Sequence, residues 1–252
     1  NPKSVLAYYN RGNLYEHMKE LDKAISDYSQ AITLKPDYFS AYNNRGNLYC
    51  DKGLYDYAIN DFNKAIALKH DFIEAYSNRG IAYYDKGLYD NAITDYSKAI
   101  ELKPDFALAY NNRGNAYGAK ASFNNSIEDF TKAIQYKPDY AEAYNNRGNA
   151  HGNLGFTDNA FKDFYKAIEL NPDYADAHNN LGVVYERQGQ FDKAIQEYSK
   201  AIEINPDFAN AYNNRGVSYY RNGIFDKSCE DFRKAEQLGN INAKDNVLKF
   251  CK

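Results

Sequence analysis

Seven asparagines recur at a spacing of 34 residues, and their side chains are able to hold a peptide backbone. We call them the asparagine row: Asn10, Asn44, Asn78, Asn112, Asn146, Asn180 and Asn214. Each lies two residues before one of the repeat glycines, which are Gly12, Gly46, Gly80, Gly114, Gly148, Gly182 and Gly216. A carboxamide has two N–H donors and a carbonyl acceptor, so one Asn can bond both the N–H and the C=O of a peptide group. Because Asn is only a mediocre helix former, its presence in every repeat indicates a binding role.

The repeat spacing decides how such a row could engage a ligand. Packed helices lie roughly 8–10 Å apart, and an extended peptide advances about 3.3 Å per residue. One Asn on each stacked helix would therefore meet about every third ligand residue. The alternative is that the carboxamides bond only along their own array, or to water. A hydrogen bond contributes about 0.5–1.5 kcal/mol net, while ordering each ligand residue costs about 1–2 kcal/mol, so the row alone predicts weak, sequence-tolerant binding.

Selectivity must then come from variable residues beside the row. Further asparagines lie one residue after repeat glycines, at Asn13, Asn47, Asn115 and Asn149. Tyr84 and Tyr220 lie four residues after the repeat glycines Gly80 and Gly216, and we include both tyrosines in the candidate peptide-binding site. The other residues at positions predicted to face the groove include Leu6, Tyr9, Ile81, Leu108, Val183, Arg187, Val217 and Arg221. This mixture predicts a ligand with both apolar and polar side chains.

A second recurring pattern combines opposite charges. Arginines stand one residue before the repeat glycines, at Arg11, Arg45, Arg79, Arg113, Arg147 and Arg215, and Leu181 replaces them once. Acids stand fifteen residues after the glycines, at Asp27, Asp61, Asp95, Asp129, Asp163, Glu197 and Asp231. An uncompensated buried charge costs several kcal/mol, so we predict Arg–Asp pairs between the two helices of a repeat. The alternative is an arginine ladder in the groove that binds acidic ligands.

The elements that carry these residues follow from a helical period. Tyr42, Gly46 and Tyr49 form an i, i+4, i+7 stripe, a second stripe runs from Tyr55 to Ile66, and Gly53 separates the two. A recurring proline ends each second helix and opens the next first helix. No stretch has the period-two alternation of a strand. We predict an all-α array of helical hairpins near 5–38, 39–72, 73–106, 107–140, 141–174, 175–208 and 209–239, followed by an amphipathic capping helix near 240–252.

The pattern resembles the tetratricopeptide repeat family. The resemblance rests on the 34-residue period, the small residue of the first helix, the Ala–aromatic–Ala series of the second helix and the closing proline. It implies a single right-handed superhelical solenoid over 1–252, with the first helices lining a concave groove. The asparagine row resembles the asparagine ladder in the repeats of the O-linked N-acetylglucosamine transferases. The lysine with which some co-chaperones of the family grip a C-terminal carboxylate is missing, which argues against capture of chaperone tails.

Composition narrows the classes of function. The chain has 252 residues, a net charge of −3 and no long apolar run, so we expect neither nucleic acid nor a membrane as a partner. Three cysteines, Cys50, Cys229 and Cys251, argue against a disulfide framework. Cys50 is a candidate reactive thiol, and His151 with His178 is a candidate metal or pH-sensing pair that packing explains more simply. We find no catalytic, phosphate-binding or zinc-binding motif and expect no cofactor, no metal and no enzymatic activity.

The sequence thus predicts a protein–protein interaction scaffold that binds an extended peptide in the concave groove of the superhelix. The alternative is a substrate-recruiting arm of a larger enzyme whose catalytic domain lies outside this chain. Self-association through the first repeat is a further possibility. The phase of Asn1-Pro2 leads us to expect that the natural protein continues upstream, and we assign a cytoplasmic location.

Overall fold

The computed structural model describes residues 4–251, and within that range the chain forms fifteen α-helices and no strand. The helices are α1 (Val5–His17), α2 (Leu21–Leu34), α3 (Phe39–Asp51), α4 (Tyr55–Leu68), α5 (Ile73–Asp85), α6 (Tyr89–Leu102), α7 (Ala107–Ala119), α8 (Phe123–Tyr136), α9 (Ala141–Asn153), α10 (Thr157–Leu170), α11 (Ala175–Arg187), α12 (Phe191–Ile204), α13 (Ala209–Arg221), α14 (Phe225–Gln237) and α15 (Ile241–Phe250). The predicted all-α array of tandem helix pairs is confirmed. None of these helices is long and apolar enough to cross a membrane.

A tight turn joins the two helices of a hairpin. Gly53 has φ +70°, a left-handed conformation that glycine adopts without a steric cost. The backbone N–H groups of Gly53 and Leu54 donate to the carbonyls of Cys50 and Tyr49, both at 2.8 Å, and so satisfy the end of α3. The equivalent residue of the fourth hairpin is Ala121, with φ +57°. A side chain in this conformation costs roughly 1–2 kcal/mol, so this turn is locally strained.

The repeat glycines allow an aromatic ring to lie directly on the first helix. A Cβ atom on Gly46 would lie 2.7 Å from Phe62 Cε1, and one on Gly80 would lie 2.6 Å from Tyr96 Cε1. Both rings are buried, so they have no room to move away. The same contact holds for Gly12 with Tyr28, Gly148 with Phe164, Gly182 with Tyr198 and Gly216 with Phe232. Close approach of the two helices therefore requires glycine at these positions.

The chain packs as two compact parts, the N-terminal part (1–129) and the C-terminal part (130–252), and their boundary falls within α8. In the N-terminal part, Ala65 of α4 and Ala75 of α5 are fully buried in one apolar cluster. In the C-terminal part, Leu181 belongs to a cluster formed by α10, α11 and α12. Each cluster includes residues of successive hairpins, so a hairpin buries its apolar faces against its neighbours.

The last helix covers the final hairpin, as the predicted capping helix would. The ring of Phe250 lies 4.3 Å from the ring of Tyr220 and 6.0 Å from that of Phe232, measured between centroids. These contacts shield the end of the apolar core. The opposite face of α15 leaves Ile241 and Leu248 exposed.

A disulfide bond joins Cys229 on α14 to Cys251, directly after α15. From three cysteines we did not expect a disulfide framework, and this single bond was not predicted. The number of cysteines does not indicate which two of them the fold brings together. The two Cα atoms lie 5.4 Å apart, within the usual range for a disulfide. Cys50 is a free thiol.

Candidate functional site

In the N-terminal part, Asn44 and Asn78 of the asparagine row are bonded to the preceding hairpin. Asn78 Nδ2 donates to Asn43 Oδ1 at 3.1 Å. Asn44 Nδ2 donates to the Tyr9 hydroxyl at 3.1 Å and more weakly to Asn13 Oδ1 at 3.4 Å. Because Asn43 is buried, its carbonyl oxygen needs such a donor. These bonds run from the first helix of one hairpin to the first helix of the next.

The same bond recurs in the C-terminal part. The donor and acceptor pairs are Asn180 with Asn145 at 2.9 Å, Asn214 with Asn179 at 3.1 Å and Asn246 with Asn213 at 2.9 Å. Asn246 lies on α15, where it replaces the row asparagine that a further hairpin would supply. Bonding along the array, the alternative use of these carboxamides, is therefore present in the structure.

The extent of this bonding differs along the row. The Oδ1 atoms of Asn44 and Asn180 also accept from the Nδ2 atoms of Asn43 and Asn179, both at 3.4 Å. In Asn78 and Asn214, one N–H reaches the preceding hairpin, which leaves a second N–H and the carbonyl oxygen for another partner. Asn10 is exposed, and the other six members of the row are half-buried. In Asn78 and Asn214 the bond along the array fixes the orientation of the side chain, so the remaining polar atoms are held in place at the solvent boundary.

The other predicted site residues lie in more varied surroundings. Asn13, Asn47 and Asn115 are half-buried and Asn149 is exposed. The Oδ1 atom of Asn13 accepts a hydrogen bond from the Tyr28 hydroxyl at 2.7 Å. Tyr84 lies against Tyr89, and Tyr220 lies between Phe225 and Phe250. Both tyrosines are therefore held by aromatic neighbours of the same chain, and Tyr220 is in part covered by the capping helix.

The predicted Arg–Asp pairs are confirmed. Arg45 donates from Nε and Nη2 to the two carboxylate oxygens of Asp61, both at 2.7 Å, and only 17% of the Arg45 side chain is exposed. The same two-bond geometry joins Arg11 to Asp27, Arg79 to Asp95, Arg113 to Asp129, Arg147 to Asp163 and Arg215 to Asp231. Bidentate pairs of this kind fix the two helices relative to each other. An arginine ladder that faces the groove is contradicted.

Five of these six arginines make a third contact that the sequence pattern did not lead us to expect. Arg45 Nη1 donates to Ser29 Oγ at 2.8 Å, and Arg113 Nη1 donates to Ser97 Oγ at 2.9 Å. In both cases the acceptor belongs to the preceding hairpin. The signal is present in the sequence as a small polar residue seventeen positions after a repeat glycine: Ser29, Asn63, Ser97, Thr131 and Ser199. Arg45, Arg79, Arg113, Arg147 and Arg215 thus each join three helices.

The sixth hairpin replaces the Arg–Asp pair by other residues. Leu181 is buried where the arginine would be. His178 Nδ1 lies 2.7 Å from Glu197 Oε2, and His178 Nε2 lies 3.0 Å from the carbonyl oxygen of Pro172. The imidazole thus connects α11 to Glu197 of α12 and to the backbone just before α11. The hairpin thereby keeps a buried polar contact between its helices.

The residues suspected of other chemistry do not form a reactive centre. Burial, together with the charges of Asp85 and Asp51, raises the pKa of the Cys50 thiol to about 11, so Cys50 is protonated and weakly nucleophilic at neutral pH. His151 Nδ1 lies 3.2 Å from Asp163 Oδ2, whereas His178 faces Glu197. Among residues 4–251, no group of three or more His, Cys, Asp or Glu side chains is arranged to hold a metal ion.

Tandem helical hairpins with a glycine under an aromatic ring define a helical-repeat protein. Family models described as tetratricopeptide repeat match residues 5–38, 141–174 and 164–196, and one described as TPR repeat matches 46–87, 82–120, 122–155 and 187–223. The chain belongs to the tetratricopeptide repeat family. The matches cover most of its length, and repeats of this kind form scaffolds for protein interactions.

Solved structures agree with this assignment. A tetratricopeptide repeat protein from Parabacteroides merdae is 20% identical, with a TM-score of 0.79 and 98% of each chain covered. MamA is 34% identical over 66% of this chain and 96% of its own, with a TM-score of 0.57. YrrB, described as a TPR protein with an unusual peptide-binding site, is 25% identical over 75% of this chain and 97% of its own, with a TM-score of 0.56. No curated protein matches the sequence significantly.

Proposed function

We propose that this protein binds an extended peptide segment of a partner protein along the first helices of its hairpins. The asparagine row carries the proposal. Its members recur once in each hairpin. Asn78, Asn180 and Asn214 are oriented by bonds along the array, and Asn78 and Asn214 keep a second N–H and a carbonyl oxygen at the solvent boundary. A peptide main chain offers the matching N–H and C=O groups at regular intervals. The similarity to YrrB, whose description includes a peptide-binding site, supports this function.

Binding by the row has a low intrinsic affinity. Each carboxamide adds about 0.5–1.5 kcal/mol per net hydrogen bond, and this gain is offset by the cost of ordering the ligand. Side chains next to the row must therefore supply selectivity, through positions that differ from hairpin to hairpin. Tyr84 in the N-terminal part and Arg187 in the C-terminal part are two such residues.

The experiment begins with a displayed library of random peptides selected against the protein. The affinity of a selected peptide is then measured by fluorescence anisotropy for the wild type and for the double variant Asn180→Ala/Asn214→Ala. We expect the double variant to bind about ten- to a hundredfold more weakly, since two carboxamides and their hydrogen bonds are lost.

A matched control uses the same substitution away from the row. Asn91 and Asn159 are exposed residues of second helices, so Asn91→Ala/Asn159→Ala should leave the affinity unchanged. Circular dichroism melting curves check that both double variants remain folded, because Asn180 and Asn214 also bond to Asn145 and Asn179. Equal affinity of a folded row variant and the wild type would contradict the proposed function.

A second candidate function, self-association through the first hairpin, is favoured by the exposed face of α1. Leu14 is 57% exposed, although Leu48 at the same repeat position of α3 is fully buried. Met18 is 59% exposed, and the Arg11 side chain is 54% exposed against 17% for Arg45. This surface has the composition of a hairpin-packing face, and a second copy of the chain would cover it.

Light scattering at several protein concentrations tests this second candidate. A mass that rises with concentration is expected for the wild type, and Leu14→Glu should hold the mass at the monomer value because a charge cannot be buried there without a partner. A wild-type mass that is constant over the whole range would contradict self-association.

A further inference from the structure

A cavity of about 90 Å³ opens beside the asparagine row in the C-terminal part. It lies between α9 and α11, over the second helix α10. The lining includes Gly152, Asn153, Phe164, Asn180, Val183 and Arg187. We call it the Gly152 pocket.

A missing side chain creates the pocket. The position four residues after a repeat glycine carries Glu16, Cys50, Tyr84, Glu186 or Tyr220 in other hairpins. In the fifth hairpin this position is Gly152, and a Cβ atom added there would meet nothing within 4 Å. A Cβ atom on Gly118, the other glycine at this position, would meet Ser126 Oγ at 3.4 Å. The space above Gly152 is therefore open on the binding side of the hairpin.

The inner wall of the pocket is apolar. Phe164 is 3% exposed, and its ring packs on Gly148 as the aromatic partner of that repeat glycine. Val183 of α11 adds aliphatic surface on the opposite side. An apolar cavity of about 150 Å³ can accommodate benzene, so a cavity of about 90 Å³ suits a smaller, aliphatic group such as the side chain of valine or leucine.

A positive charge stands at the edge of this apolar wall. Arg187 is exposed, and its Nη1 atom lies 3.5 Å from the carbonyl oxygen of Gly152. Among residues 4–251, Arg187 forms no salt bridge, whereas all six arginines that precede repeat glycines pair with aspartate. The adjacent Glu186 already accepts hydrogen bonds from Tyr198 and Ser218. Apart from the long Nη1 bond to the Gly152 carbonyl oxygen, the Arg187 guanidinium thus retains N–H donors for an incoming carboxylate.

The row passes directly through this site. Asn180 lines the pocket, and its Nδ2 atom donates to Asn145. A peptide main chain bonded to Asn180 would place a side chain over the pocket. Residues i and i+2 of an extended peptide point to the same side, so a second group from the same peptide could reach Arg187.

We propose that the Gly152 pocket is an anchor site for an aliphatic side chain of a bound peptide, and that Arg187 pairs with a carboxylate of the same peptide. This inference rests on the proposed function, since the peptide must first lie along the asparagine row. The carboxylate is that of an Asp or Glu side chain or of the peptide C-terminus. Either source has the chemistry that Arg187 recognises.

The test uses defined peptides and fluorescence anisotropy. Three probes are labelled peptides of Ala, Gly and Ser that each carry one residue pair: Leu-x-Glu, Ala-x-Glu or Leu-x-Lys. A fourth probe ends in Leu and is made with either a free or an amidated C-terminus. For the wild type we expect Leu-x-Glu to bind about tenfold more tightly than the other two pairs, the scale of one charge-assisted hydrogen bond or one buried aliphatic side chain. Comparison of the free and amidated forms identifies the source of the carboxylate.

Two variants separate the two contacts. Gly152→Leu fills the pocket and should abolish the preference for Leu over Ala, while Arg187→Gln should abolish only the preference for Glu over Lys. Gly118→Leu places the same side chain at the same repeat position of the fourth hairpin, and it should leave both preferences intact. Chemical shifts of the Val183 methyl groups should change on addition of Leu-x-Glu.

The possible failures are distinguishable. Wild-type protein that binds all probes equally, or a folded Gly152→Leu variant that keeps the leucine preference, overturns the pocket and leaves the asparagine row as the binding element. Absence of binding to these probes and to every peptide of the random library overturns the proposed function, and the pocket with it.

Discussion

At the scale of single residues, burial decides which polar contacts stabilise this protein. The arginines before the repeat glycines form ion pairs of nearly the same geometry, but their exposure differs. Arg79 is 18% exposed and contacts Asp95, whereas Arg11 is 54% exposed and contacts Asp27. Water can replace a lost partner in the first hairpin more easily than in the third. The pairs should therefore contribute unequally to the free energy of unfolding.

We predict that Arg79→Met lowers the free energy of unfolding by roughly 3 kcal/mol, because it leaves the buried Asp95 carboxylate without its partner. Arg11→Met should cause a much smaller loss. Urea denaturation followed by circular dichroism measures both, and the two variants serve as a matched pair. Equal losses would show that burial does not determine the strength of these contacts.

A second residue-scale prediction concerns acid sensitivity. Burial lowers the pKa of His151 below its ordinary value of 6.5, although the nearby Asp163 carboxylate opposes the shift. The folded protein therefore disfavours protonation, and the His151 contribution to stability should be lost as the pH falls below 6.5. His151→Tyr, which restores the tyrosine of other repeats, should reduce the loss of stability on acidification. Urea midpoints on either side of pH 6.5 measure this, and His70→Tyr at an exposed site should have no such effect.

At the scale of helices and turns, most of the architecture could be predicted from the sequence. The period of 34 residues, the helical stripes and the recurring proline determine where each helix begins and ends, because these signals are local. The Arg–Asp pairs could be predicted because one repeat interval relates every pair. The contact of Arg45 with Ser29 and the Cys229–Cys251 bond could not be predicted, since they depend on how a helix packs on its neighbour. For the same reason the Gly152 pocket could not be predicted, because its lining comes from three helices.

The turn of the fourth hairpin offers a stability prediction at this scale. Ala121 has the left-handed conformation that glycine has in other hairpins. Ala121→Gly should raise the free energy of unfolding by about 0.5–1 kcal/mol, since relief of steric strain outweighs the added flexibility of the unfolded chain. The reciprocal change Gly53→Ala should lower it. Thermal denaturation of both variants checks the result, and a shift in the same direction for both would be inconsistent with the backbone argument.

The capping helix gives a second prediction at this scale. The Cys229–Cys251 bond closes a segment with a sequence separation of 22 and holds the end of α15 to α14. Its removal by Cys229→Ser should lower stability by about 3 kcal/mol and increase amide hydrogen exchange in α14 and α15. Cys50→Ser is the matched control. Titration of three free thiols, rather than one, in the oxidised protein would contradict the bond.

This disulfide also bears on the cytoplasmic location that we expected from the sequence. Disulfide bonds persist mainly in oxidising compartments and are rare in the cytosol. The redox state of Cys229 and Cys251 in protein isolated from its native source therefore tests that expectation. Alkylation before lysis, followed by mass spectrometry, distinguishes the paired cysteines from reduced ones.

At the scale of the molecule, repetition gives each hairpin the same backbone geometry and leaves selectivity to the residues that vary. Five positions after the repeat glycines, the N-terminal part carries Asp51 and Asp85, whereas the C-terminal part carries Arg187 and Arg221. The same surface position thus has opposite charge in the two parts. A peptide bound to the N-terminal part should therefore prefer basic residues beside the first pair, and a peptide bound to the C-terminal part should prefer acidic residues beside the second.

The binding role of the asparagine row is the central claim, and the most direct test modifies the ligand instead of the protein. A peptide selected from the library is resynthesised with one backbone nitrogen methylated at a time, which removes that N–H donor and keeps every side chain. Binding of each version is measured by fluorescence anisotropy. We predict losses of affinity that recur at about every third residue, the interval set by the helix spacing and the rise of an extended peptide. Uniform tolerance of methylation along the whole peptide would contradict main-chain recognition by the row.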